Sequence, residues 1–199
     1  MKLNSSILCT AYFPPIKYFQ YLHLSQNVYI EHKEYYKRHS IRNRALILGP
    51  NNVLLLTVPI VKKNSSKTFM ENIRIANNDW KKKHIQSIKT AYGSSPFFIY
   101  YFEEIKEIIN KNHTFLIDFN YEILYYFLNE LNIKTNLKKT ESYIKNYENQ
   151  CCDERDNIEM HQSLKKYTQI FTKNFIPNLS IIDLIFNLGP NSKEYIYTS

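Results

Sequence analysis

Glycine is nearly absent, with 3 in 199 residues. A glycine-rich phosphate cradle cannot be built from three, and no Walker loop or G-x-G-x-x-G run occurs. G-x-S-x-G and H-E-x-x-H are missing as well. A nucleotide bound here is therefore held by side chains. Cysteine is scarce too. Cys9, Cys151 and Cys152 are odd in number and lack a C-x-x-C pair, which argues against a disulfide framework and a zinc knuckle. No metal is expected, and the residues name no cofactor. No apolar run approaches the roughly 18 residues that cross a bilayer, so no membrane span is expected. Residues 1–10 carry one lysine and a short apolar stretch at 7–9, unlike a signal peptide. A reducing cytoplasm is the expected compartment.

Against 4 Ala and 1 Trp stand 25 Ile, 22 Asn, 21 Lys and 17 Tyr, the mark of an AT-rich genome. That drift inflates the net charge of +8, but not its distribution. Residues 1–100 carry net +11 and residues 101–199 net −3, so an anion site belongs in the first half. Apolar content of 44% and charged content of 22% are those of an ordinary globular chain. The length and the lack of a linker or repeat predict one domain over residues 1–199.

Residues 7–12 (ILCTAY) read as a buried strand. Pro14-Pro15 can open a helix, and VYIE at 28–31 is a second strand, giving a β-α-β opening with parallel strands. ALIL (45–48) and VLLLTVPI (53–60) flank GPNN, a hairpin signal. MENIRI (70–75) and residues 135–141 are expected as further strands. Trp80, His84, Ile85, Ile88 and Tyr92 share one face of a helix starting at Asp79. Helices follow from Ser95-Pro96, over 115–131, and from Ser180, where Asp183 completes a short-armed capping box and Gly189 ends the helix. Residues 145–160 are polar and read as a surface loop carrying Cys151 and Cys152. The expected fold is α/β: a single domain with a mixed sheet, an opening β-α-β unit, a β-hairpin and helices packed around it.

Several stretches carry a resemblance. They are TAYFPPIKYF (10–19), VYIE (28–31), YYKRHSIRNR (35–44) and LLLTVPI (54–60). They continue, in order, with W-x-x-x-H (80–84), AYGSSPFFIYY (91–101), FLIDFN (115–120), KTES (139–142) and FIPNLSIIDLIFNLGP (175–190). Together they resemble the WbqC-like proteins in the shorter form found in Bacteroidetes-like bacteria. The stretch before RNR departs from that pattern, with Arg38 for an amide and Ile41 for an aromatic. The resemblance implies a cytoplasmic bacterial protein, some of whose relatives are encoded among genes for surface polysaccharide (O-antigen) synthesis. It carries over no catalytic residue.

Three of the five arginines lie between positions 38 and 44. Where drift replaces Arg by Lys, a retained Arg marks a place that needs a planar five-donor fork, which binds phosphate or carboxylate bidentately. Lys37, His39, Arg42 and Arg44 are thus candidate ligand-binding residues. The alternatives are internal pairing of an arginine with Glu31 or Asp183, or a solvated loop. On an extended chain Arg42 and Arg44 point to one side, toward the TAYFPP turn. Tyr12, in that turn, is either a ligand-stacking ring or core filling. His84, one helical turn from Trp80, is either a general base or phosphate ligand, or a satisfied buried histidine. Asp183 is explained by capping, and Lys81, Lys82 and Lys83 by a solvated helix face.

The resemblance and the arginine cluster together point to a transferase acting on a phosphorylated or nucleotide-linked small molecule in cell-envelope polysaccharide assembly. The alternative is a non-catalytic binding protein for RNA or another anionic partner.

Overall fold

The computed structural model describes residues 3–61, 67–147, 151–158 and 163–198. Strand β1 (Leu3–Cys9) ends in four fully buried residues, as a strand covered on both faces must. Pro15, with φ −66°, stands at the N-terminus of α1 (Ile16–Leu24), where a missing N–H costs nothing. Strand β2 (Ser25–Glu31) follows with no loop and pairs parallel to β1, from Leu3 opposite Ser25 to Cys9 opposite Glu31. β5 (Asn136–Lys139) joins the far side of β2, and β6 (Cys152–Asp153) the far side of β1. The order is β5-β2-β1-β6, parallel throughout. β6 falls within the stretch 145–160 expected as a surface loop. Cys151 and Cys152 are half-buried there, and Glu154 and Arg155 are buried, because their charges meet internal partners.

β3 (Arg44–Leu48) and β4 (Val53–Thr57) pair antiparallel, closed by GPNN with the Gly49 N–H donating to the Asn52 carbonyl at 2.9 Å. This hairpin is a separate two-stranded sheet and does not join the parallel strands in one mixed sheet. The physical reason is on its outer edge: the Leu46 carbonyl accepts from the Ser180 N–H (2.8 Å), so the loop before α5 (Ile181–Leu188) occupies that edge. Residues 70–75, expected as a strand, form a 3-10 turn at Met70–Asn72. Single bridges then tie Arg74 to Phe115 and Ile75 to Ile60.

The remaining helices are α2 (Trp80–Tyr92), α3 (Phe98–Asn110), α4 (Leu116–Glu130) and α6 (Asn191–Thr198). α2 buries Trp80, His84, Ile88, Ala91 and Tyr92 and exposes Lys82 and Lys83, as its period requires. Its first N–H is taken by the Asn78 side chain (3.2 Å), not by Asp79. Ser180 caps α5, but Asp183 does not close a box: its carboxylate accepts from Tyr92, Tyr167 and Gln169 in the core. Gly189 ends α5 at φ +53°, and a Cβ there would lie 2.3 Å from the Phe97 ring.

Candidate functional site

Three chain segments meet beside β3. The TAYFPP turn is held by hydrogen bonds from the Tyr12 N–H to the Ile41 carbonyl (2.9 Å) and from the Ile181 N–H to the Pro14 carbonyl (2.9 Å). The Ser180 hydroxyl donates to the Phe13 carbonyl at 2.9 Å. Between turn, hairpin and the 177–180 segment lies a cavity of about 180 Å³, lined in part by Phe13, His39, Arg44, Leu55 and Asn178. Three of its lining residues hold positive φ: Phe13 (39°), His39 (58°) and Asn178 (55°). Asparagine takes this conformation readily, whereas a bulky phenylalanine does so at a cost of order 1–3 kcal/mol. Such strain gathers where surrounding structure over-determines a local geometry, often at binding sites.

Arg44 supplies the charge. Its Nε is buried and has no hydrogen-bond partner, and the guanidinium makes no ion pair among the described residues. A buried donor left unmade costs about 1–3 kcal/mol. His39 is exposed at the same cavity.

Arg42, two residues earlier, has the opposite fate. It is 1% exposed, and its Nε and Nη2 donate to the two Glu34 carboxylate oxygens at 2.7 and 2.6 Å. Nη2 also reaches the Arg155 carbonyl and Asp156 Oδ1, each at 3.5 Å. Residues 41–43 form a turn, so the two-residue alternation of an extended chain does not apply and the two arginines diverge. Burial opposes the Arg42 charge, yet neighbouring groups, Glu34 among them, hold its guanidinium above the ordinary range. Lys37 is exposed and pairs with Asp156. The internal carboxylate of Arg42 is thus Glu34, neither Glu31 nor Asp183.

Glu31, fully buried at the end of β2, accepts instead from Arg155 Nη1 (3.0 Å), Thr140 Oγ1 (2.7 Å) and the Lys33 N–H (2.8 Å). Arg155 also binds Asp153 through Nε at 2.9 Å. These pairs fill the carboxyl edge of the parallel sheet, the place where open α/β sheets commonly bind ligands. The nearby cavity that Arg44 and His39 do line lies beside the hairpin.

Tyr12 and His84 form a third, closed group. Tyr12 is fully buried, and its hydroxyl lies 2.8 Å from His84 Nδ1. Tyr12 also packs against Trp80 and Phe119. His84 is 5% exposed, and burial pushes its pKa down to about 4, against a smaller upward effect of the Thr57 backbone. The ring is neutral, with one nitrogen on Tyr12. Of the six residues the sequence singled out, the structure brings only His39 and Arg44 to the cavity. Sequence reading missed its wall from the 177–180 segment, although FIPNLS was conspicuous, and missed Glu34, eight residues before Arg42. Among the described residues no group of three or more His, Cys, Asp or Glu could hold a metal ion, and no helix is long and apolar enough to cross a membrane.

The model of the WbqC-like protein family matches residues 10–159 and 153–195. The chain belongs to this family. It is also similar to the uncharacterized protein Rv1507c of Mycobacterium tuberculosis (strain ATCC 25618 / H37Rv), with 23% identity over 223 residues, covering 96% of each chain. No solved structure matches. The matched range takes in the TAYFPP turn, the hairpin and the 177–180 segment, and so every wall of the cavity.

Proposed function

We propose that this WbqC-like chain binds an anionic small molecule at Arg44, with His39 at the same opening. It would act as a cytoplasmic transferase on a phosphorylated or nucleotide-linked compound in cell-envelope polysaccharide assembly. One observation carries the anion site: a half-buried arginine that lines a cavity and has an unpartnered Nε, in a chain whose two buried arginines are paired. Each charge-assisted hydrogen bond formed there is worth about 1.5–3 kcal/mol. At about 180 Å³ the cavity is below the roughly 300–1,000 Å³ of a drug-sized ligand site, so it suits a phosphate or carboxylate group, with the rest of the molecule outside. The transferase and polysaccharide parts of this reading come from the family resemblance.

Thermal shift with inorganic phosphate, nucleotides, sugar nucleotides and acyl donors tests it. A true ligand at 100-fold over its Kd stabilises by about 2.7 kcal/mol. Arg44→Lys keeps the charge but loses the fork, and is expected to weaken binding at least tenfold. Equal affinity in wild type and Arg44→Lys would sink the assignment. The competing reading, an RNA-binding protein, would stack bases on Tyr35, 47% exposed, with the exposed Arg38 and half-buried Tyr36 close by in the chain. It predicts a salt slope of about −0.7 per phosphate contacted on single strands.

A further inference from the structure

The hairpin face that carries Arg44 is apolar apart from Thr57, opposite Arg44, and it is open at Leu46, Leu55 and Val53. Leu46 stands directly opposite Leu55 in the β3–β4 register, and the two are 42% and 50% exposed. The two-residue alternation puts Arg44 and Leu46 on one face, and both line the cavity together with Leu55. Val53, two residues before Leu55 on β4, extends the strip and is 36% exposed. Directly opposed leucines left in water are an unusual use of a hairpin, since they could bury area by facing the core.

The polar groups around the cavity are unequally available. Asn178 Nδ2 donates to the Ile158 carbonyl (2.7 Å), and its Oδ1 accepts from the Lys17 N–H (3.1 Å). The Ser180 hydroxyl is taken by the Phe13 carbonyl. Only Arg44 and His39 offer side-chain polar atoms without a partner among the described residues. A sugar or a base laid along Leu46 and Leu55 would find only the Thr57 hydroxyl, opposite Arg44, beside those two side chains, and each further buried unpaired group would oppose binding.

We propose that the site takes an anion bearing an apolar chain, such as an alkyl or isoprenyl phosphate. The head group sits at Arg44, and the chain lies along Leu46, Leu55 and Val53. This rests on the anion site proposed above and narrows its ligand class. The same chemistry is offered by a free amphiphile and by a lipid in a bilayer.

The test is calorimetric titration of the full chain with the monoalkyl phosphates from methyl to octyl, held below their micellar concentrations, and with inorganic phosphate. Affinity is expected to rise by about two- to fourfold per methylene over the first carbons and then level off where the strip ends. Leu55→Thr, at an exposed position that tolerates change, is expected to flatten that rise. Arg44→Met is expected to lower every member of the series by a common factor of about ten or more. If octyl phosphate binds no tighter than methyl phosphate while both still need Arg44, the anion site stands and the apolar chain is refuted. If binding is absent, or indifferent to Arg44→Met, the anion site itself fails. A dimer that dissociates on Leu55→Thr, without chain-length dependence, would assign the strip to a second copy of the chain and overturn the proposal. Co-sedimentation with phosphatidylcholine vesicles containing a tenth of phosphatidic acid separates the sources. Octyl-phosphate-sensitive pelleting supports a bilayer lipid, and octyl phosphate binding without pelleting supports a free amphiphile.

Discussion

Arg42 and Arg44 are two residues apart in the chain and lie in opposite electrostatic worlds. Arg42 is sealed with Glu34 in a two-point ion pair, with Asp156 and the Arg155 carbonyl at its margin. Arg44 begins β3, reaches a cavity, and finds no carboxylate among the described residues. The difference is made by the partner each meets, because residue type, local charge and distance along the chain are the same for both. Retained arginine in a lysine-rich sequence is therefore a sign that fork geometry is needed, and by itself says nothing of whether the fork faces inward or toward a ligand.

The largest effect that separates the two is expected at the buried pair. Glu34→Ala or Arg42→Ala leaves one charge buried and unpaired, at a cost of about 3–5 kcal/mol. Urea denaturation measures it as a lower midpoint at unchanged slope. The double replacement Glu34→Leu with Arg42→Met is expected to recover most of the loss, since no charge is then stranded. Equal losses in the single and double variants would mean that the pair matters for packing and not for charge. Burial, the larger influence, pushes the Glu34 carboxyl up, against the hydrogen bonds from Arg42.

Much of the frame behind this contrast is readable in the chain. Apolar residues 7–9, the double proline and VYIE define β1, α1 and β2, and GPNN defines the hairpin, because each pairs a burial period with a turn that only certain residues allow. β6 is not readable. Two residues in a polar stretch have no period, and Cys152–Asp153 becomes a strand only because β1 offers it a free edge. The 3-10 turn at Met70–Asn72 was hidden by an alternation that isolated bridges use as well as strands do. Arg44 and His39 at the cavity were legible as types but not as a pair. Choosing Arg44 over Arg42 required knowing that residues 41–43 turn and that Glu34 comes back to meet them.

A second, smaller effect sharpens the distinction between a closed polar group and an open one. His84, paired with Tyr12, has its folded pKa lowered from 6.5 to about 4 by burial. Between those values the unfolded chain binds a proton that the folded chain refuses, so His84 costs stability as the pH falls from about 6.5 toward 4. The slope is at most about 1.4 kcal/mol per pH unit for one group. His32, whose Nε2 lies 2.7 Å from the Tyr121 hydroxyl, is lowered to about 4 in the same way, first by burial and then by Lys139. His84→Gln is expected to remove about half of the acid-side slope in chemical denaturation at stepped pH. An unchanged slope would show that His84 is reached by water and titrates in place, which would reopen it as a ligand group.

The smallest effect on stability is expected at Arg44, and its smallness is what the comparison demands. Arg44→Met keeps an unbranched apolar stem and removes a guanidinium whose Nε has no partner. Nothing is stranded by the change. The folded chain loses a donor it leaves unmade and strands no partner, so the urea midpoint is expected to hold or rise, and to fall by no more than ~0.5 kcal/mol, as at an ordinary surface site. Arg42→Met, the same substitution two positions earlier, strands the Glu34 carboxylate and is expected to cost several times more. Measured side by side without ligand, the two variants therefore report on the surroundings of each arginine, its pairing above all, because the replaced and replacing side chains are identical. Should Arg44→Met prove as costly as Arg42→Met, Arg44 would be a structural arginine, and both the anion site and the apolar strip beside it would lose their basis.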